Sequence, residues 1–319
     1  MRRSLLMILA GALLLAAPAA RADWRDDMGV LNVGVLATGG ASYRIASLQP
    51  FRAYLEARIG LTVNIVPAAS WGELIDAETS GRVQYAILSA AAYAEALSTC
   101  HCVEVIAAPK AADGALGYHS VLVVKADSPI KALADARGAK LALAGEDSVA
   151  GRLIPMQSFA HEGIAPATYF SKIVEVANPE AAIGALLDGT VDIAAGWSSL
   201  TGEAESGYDF GLLASMTASG KLTPGEVRVV WQSPLIPFGP HVVRSDMPAE
   251  LKTLLAQALL DMADEDQDAL DSIDRIGYGG GGFAAPDAAL YAPITELVAI
   301  PVAAPAPGGP VAVPAQTDQ

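Results

Sequence analysis

Leu31-Asn-Val-Gly-Val-Leu36, Leu61-Thr-Val-Asn-Ile-Val66 and Val83-Gln-Tyr-Ala-Ile-Leu88 are three short apolar runs. Between the first two lie the loop Thr38-Gly-Gly-Ala-Ser42 and a helical pattern from about Ser47 to Arg58, which Gly60 ends. Between the second and third, Trp71 to Thr79 is helical and Ser80-Gly81 stops it. Apolar runs of strand length alternating with helical stretches predict βαβ units, hence a parallel sheet with helices on its faces.

The pattern then repeats. His119-Ser-Val-Leu-Val-Val-Lys125 reads as a strand, Ser128-Pro129 as a turn, 132–135 as a short helix and Ala139-Lys-Leu-Ala-Leu-Ala144 as another strand. Gly145 to Gly151 is a loop leading into a helix over about Arg152–His161. A strand at Ile173–Val176, a helix over Pro179–Leu187 and a strand at Val191–Ala195 complete a second parallel unit. Val227 to Trp231, running on through Ser233-Pro234 to Pro237, reads as a crossing back, and Leu251–Asp264 as an amphipathic helix. The expected architecture is α/β, with two parallel-sheet lobes, a hinge and a central cleft. Residues 23–117 plus 240–298 form lobe one, and 118–239 form an inserted lobe two. Two lobes suit this length, because single cores stop growing near about 250–300 residues. Residues 299–319, mostly Pro, Ala, Val and Gly, cannot bury a core and are expected to be a disordered tail. No role is evident for the run Gly279–Gly282.

Arg2 and Arg3, the apolar run Leu5–Ala19 and Ala20-Arg21-Ala22 predict a signal peptide over 1–22 cleaved before Asp23, and so export to the periplasm. The run is shorter than the ~20 residues of a membrane span. The formal charge of −15 becomes more negative once Arg2, Arg3 and Arg21 are removed. Such a surface argues against nucleic acid or anionic lipid as partner. It leaves room for an anionic small ligand held in a locally positive site or by backbone N–H groups. Cys100-His101-Cys102 supplies too few ligands for structural zinc, and the two cysteines either bridge or stay free. The histidines at 101, 119, 161 and 241 show no His-Glu-x-x-His spacing, and neither a Gly-x-Ser-x-Gly elbow nor a phosphate loop occurs. No catalytic site, metal or cofactor is expected.

The second half carries a specific likeness. Gly117-Tyr-His-Ser-Val-Leu-Val-Val, Asp127-Ser-Pro-Ile-Lys-Ala-Leu-Ala-Asp-Ala-Arg-Gly138, Gly151-Arg-Leu-Ile-Pro155, Ala181–Asp192, Trp231-Gln-Ser-Pro-Leu-Ile-Pro237 and Leu290-Tyr-Ala-Pro-Ile occur in order. Together they resemble the phosphate/phosphite/phosphonate-binding proteins of ABC transporters over nearly the whole mature chain. The resemblance implies a type II periplasmic binding fold, a monomer that closes on a small ligand, and an ABC permease as partner. A membrane sensor is the alternative partner. It also implies an oxyanion seated on a helix N-terminus, where unpaired N–H groups and the helix dipole favour negative charge. The family's Ser-Thr-Ser-Gly run corresponds to Ser148-Val149-Ala150-Gly151, so two hydroxyls are replaced by apolar groups, and Pro179 stands where the family's anion-binding His aligns. Each hydrogen bond lost to a charged ligand costs about 1.5–3 kcal/mol. Tight binding of a phosphonate or of phosphate is therefore not expected of this run, whereas a carboxylate, a sulfonate or a weakly held phosphate ester needs fewer donors.

The remaining candidates follow strand ends, where open α/β sheets bind ligands. In lobe one they are Thr38 and Ser42 after the first strand, Trp71 after the second, and Ser89 and Tyr93 after the third. In lobe two they are Trp197 and Ser198, with Tyr118 at the hinge. Aromatics at a cleft pack on an organic ligand or stack on a cation.

Overall fold

The computed structural model describes residues 24–37, 39–146, 148–273, 280–285 and 289–298. Thr38, the expected signal peptide and the expected 299–319 tail lie outside the described residues.

The first sheet is assembled from β1 (Val30–Leu36), β2 (Thr62–Ala68), β3 (Tyr85–Ile87) and β4 (Val103–Pro109). The chain then enters a second sheet of β5 (Gly117–Lys125), β6 (Lys140–Ala144), β7 (Lys172–Val176), β8 (Ile193–Ser198), β9 (Val227–Gln232) and β10 (Ile236–Pro237). It returns to the first through β11 (His241–Arg244) and β12 (Phe283–Ala284). The orders are β12-β4-β11-β3-β1-β2 and β10-β5-β8-β6-β7, with β9 also paired to β5. Pairing is parallel within β2-β1-β3 and β7-β6-β8, and antiparallel where the chain enters and leaves a sheet.

Strand alternation decides the layers. Leu31, Val33 and Val35 point to one face of the first sheet, with Phe51 and Leu55 of the Gln49–Ile59 helix and Leu251, Leu255 and Leu259 of the Ala249–Glu265 helix. On the other face Gly34 stands below Leu74 of the Trp71–Thr79 helix. A Cβ there would come within 2.5 Å of the Leu74 Cδ1, so the missing side chain lets that helix settle on the sheet. In the second sheet Val121 and Val123 pack on the Pro179–Leu187 helix, while Leu122 and Val124 face Phe159 and Tyr169.

Several boundaries depart from the sequence reading. Val227–Gln232 is an edge strand of the second sheet rather than a crossing, because it pairs antiparallel with β5 from Val121 to Lys125. The return crossing is confined to the few residues between Pro237 and His241. Trp197 and Ser198 belong to β8 instead of following it, since β8 continues pairing until Ser198 meets His119. Ser42 lies in a helix, Ala41–Ser47, not in a loop. Cys100 and Cys102 form a disulfide at the end of the Ala90–Cys100 helix. The glycine run finds a role as well: Gly282 accepts a hydrogen bond from the Lys110 N–H, and a Cβ on Gly281 would lie 2.1 Å from the Ala111 carbonyl oxygen. Bare backbone there fits against the outgoing crossing segment.

Candidate functional site

The C-terminal ends of β1 and β3 open into a cavity of about 580 Å³. Val35, Leu36, Ile87, Leu88, Phe283, and Leu270 and Ile273 of the Gln267–Ile273 helix make most of its wall apolar. Tyr43 and Trp71 stand at its solvent side, 57% and 36% exposed. Pro109 at the end of β4, and Lys110 and Gly239 from the two crossing segments, complete the wall.

Local structure explains how polar groups reach this wall. Ser70 accepts from the Glu73 N–H, and the Glu73 carboxylate accepts from the Ala69 N–H, so the Trp71–Thr79 helix starts with a reciprocal cap that presents Trp71 at its first turn. Ser89 caps the Ala90–Cys100 helix by accepting from the Ala92 N–H. That capped helix start lines the cavity. His241 is buried in the wall, its Nδ1 hydrogen-bonded to the Tyr85 hydroxyl and its ring 4.7 Å from that of Phe283. Burial lowers its pKa from the ordinary 6.5 to about 3, so the imidazole is neutral. Among the described residues, the charged ones in the wall are Arg44 and Lys110. Both are cationic, in a chain with 35 acidic against 20 basic residues. The Lys110 ammonium makes no ion pair with any described residue.

Of the sequence candidates, Trp71 and Ser89 line this cavity. The others are placed elsewhere. Ser42 is exposed on the adjoining helix. Tyr93 is 9% exposed and packs edge-on against Tyr291, with ring centroids 5.3 Å apart. Tyr118 and Trp197 stack edge to face at 5.4 Å, beside Phe238 and Phe210. Ser198 is fully buried, and its hydroxyl accepts from the Leu200 N–H.

In the Ser148–Gly151 run Ala150 and Gly151 are buried, and Ser148 and Val149 are half-buried. Ser148 Oγ accepts from the Gly151 N–H at 3.2 Å, and the Ala150 carbonyl accepts from Ser120 Oγ at 2.6 Å. Val149 and Ile154 join the apolar cluster of Tyr93, Tyr291 and Ile294 that belongs to the first sheet's helices. A Cβ on Gly151 would lie 2.7 Å from the Ala144 Cβ and 2.9 Å from the Pro179 Cγ. Pro179, which displaces the expected histidine, thus closes the space beside this helix start.

Sequence reasoning misses Tyr43, Arg44, Lys110, His241 and Phe283. Arg44 could have been noticed two residues beyond Ser42, in the segment after a strand end. Lys110 follows Pro109 at the last strand position before the crossing. For His241 and Phe283 no local signal exists.

A family model described as ABC transporter, phosphonate, periplasmic substrate-binding protein matches residues 33–291. The phosphonates-binding periplasmic protein of Escherichia coli K12 is 30% identical over 227 residues, covering 70% of this chain and 63% of that protein. The phosphate-import protein of Mycolicibacterium smegmatis is 28% identical over 225 residues, covering 66% of each. The chain therefore spans just under two thirds of the length of either relative. A Xanthomonas citri protein solved with bound ATP shares the fold at a TM-score of 0.60 and 20% identity, over 85% of this chain and 96% of that one. The two-sheet architecture is that of type II periplasmic binding proteins. With a match that runs from β1 to the start of the last described helix, the chain belongs to the phosphonate ABC transporter periplasmic substrate-binding protein family.

Proposed function

We propose that this chain is the solute-binding component of an ABC importer, a periplasmic monomer that captures a small anionic ligand and presents it to a permease. The two sheets act as lobes, 23–117 plus 240–298 and 118–239, which close about the two crossings. The observation that carries this reading is the position of the cavity, at strand C-termini, with Lys110 and Gly239 of the two crossings in its wall. A ligand seated there touches the chain where its two halves connect. Its contacts change when the halves rotate, which is the condition for ligand-driven closure. Capture also fits the chemistry of the wall better than catalysis. Ser89 is engaged as a helix cap, and the His241 Nδ1 is tied to Tyr85.

The test is small-angle scattering of the exported chain with and without methylphosphonate or phosphate, at concentrations where a thermal-shift assay reports binding. A ligand at 100 times its Kd adds ~2.7 kcal/mol of stability, which makes occupancy easy to verify. The expected result is a smaller radius of gyration on binding. A saturating ligand that leaves the radius unchanged would overturn closure.

A further inference from the structure

On the reading that this cavity is the solute site, we infer that its ligand is an organic acid with a sizeable apolar body, not a bare oxyanion. The acidic head sits by Lys110 and Arg44, and the alkyl or aryl body lies among Ile87, Leu270, Ile273 and Phe283.

Volume is the first argument. Methylphosphonate displaces on the order of three waters, ~100 Å³ at ~30 Å³ per water. The cavity holds about 580 Å³, within the range of sites for organic ligands many times larger. Filled by a small hydrated ion, it would keep apolar walls against water. The second argument is the nature of those walls. Aliphatic and aromatic side chains from the first sheet, the Gln267–Ile273 helix and β12 converge here, and His241 adds a neutral ring rather than a charge. A third is charge: among the described residues, the charged side chains that line the wall, Lys110 and Arg44, are both cations. Lys110 has no ion-pair partner among the described residues, and an anionic head supplies one. Finally, the helix start that resembles an oxyanion seat is turned to internal work, with Ser148 capping Gly151 and Val149 in the apolar cluster. Selectivity then falls to the tail.

Isothermal titration of the exported chain with phosphate and with methyl-, butyl-, hexyl- and phenylphosphonate tests this. Each methylene entering the cavity should tighten binding about fourfold, equivalent to ~0.8 kcal/mol. Hexylphosphonate should therefore bind at least about a hundredfold more tightly than methylphosphonate. Lys110→Gln should weaken hexylphosphonate about tenfold or more, and Ile87→Phe, which fills tail space, should flatten the dependence on chain length. The wild-type series stands whether or not a variant folds. If phosphate or methylphosphonate binds as tightly as hexylphosphonate, this inference falls while the solute-binding reading survives. If no member of the series binds, both fall.

Discussion

Glu78 lies fully buried on the Trp71–Thr79 helix, and its carboxyl oxygens have no hydrogen-bond partner among the described residues. Desolvation pushes its pKa up from 4.5 to about 8, against the opposing pull of Arg244, whose guanidinium donates to the Glu78 and Thr79 carbonyls. An unfolded chain releases this proton near pH 4.5 and the folded chain only near 8, so stability falls as pH rises through that window. His241 works in the other direction. Unfolded, it takes up a proton near pH 6.5, while buried it resists until about 3, so stability falls as pH drops through that range. The slopes oppose between 4.5 and 6.5. Urea denaturation should therefore show a stability plateau there and a decline toward pH 8 of about 1–2 kcal/mol, at ~1.4 kcal/mol per pH unit. In Glu78→Gln that alkaline decline should vanish; an unaltered profile would mean the folded carboxyl is ionised. At Ser148 the hydroxyl caps a helix start, so Ser148→Ala should cost about 1 kcal/mol in the same assay. No loss there would show that the cap contributes nothing.

Elements meet most tightly at the waist between the sheets, where backbone packs on backbone. A Cβ on Gly117 would lie 2.3 Å from the Ile236 carbonyl oxygen, and one on Gly239 would lie 2.2 Å from that of Leu88. Neither glycine needs a left-handed conformation; each is required for space. Gly239→Ala should destabilise by about 1–3 kcal/mol through displaced backbone, and should also weaken any ligand of the adjacent cavity. A thermal melt within one degree of wild type would show that the crossing yields freely. Element identity was legible where local signals were complete. The Trp71–Thr79 and Pro179–Leu187 helices begin at capped Ser70 and Asn178, each followed by an apolar periodicity. It was not legible for β9, and for β8 the strand was read but not its extent, because both are decided by hydrogen bonds to β5, a partner distant in the chain.

At the scale of the molecule, the last described helix, Ala292–Val298, packs on both the Ala90–Cys100 helix of the first half and the Ile154–His161 helix of the second. Asp113, in the outgoing crossing, also accepts a hydrogen bond from the Thr201 hydroxyl of the second half. On the proposed closing motion, these contacts would have to be kept or broken as the halves move. The Cys100–Cys102 disulfide takes no part in joining the halves. It closes a loop of sequence separation 2, and chain-entropy reasoning assigns so short a loop only about 1–2 kcal/mol. Reduction should lower stability by that amount and leave the scattering profile unchanged; a change in overall dimensions on reduction would show that the bridge governs lobe arrangement.

Read from residue order alone, the parallel strands of both sheets, most helices, the alternation that builds two α/β sheets and the family likeness were accessible, whereas the strands at Val103–Pro109, Val227–Gln232, His241–Arg244 and Phe283–Ala284 were not. Each accessible feature rests on periodicity within one segment, or on motifs in linear sequence. The site was accessible only in part. Trp71 and Ser89 follow strand ends and do line the cavity, whereas Tyr93 follows one and turns into the core against Tyr291. Which way a side chain leaves the first helical turn depends on what the opposite helix offers it, and no local pattern encodes that. Arg44, Lys110, His241 and Phe283 meet around one space although they lie far apart in the chain. Their convergence arises from strand order and from glycine-mediated contact at the crossings, which exist only once the sheets have formed.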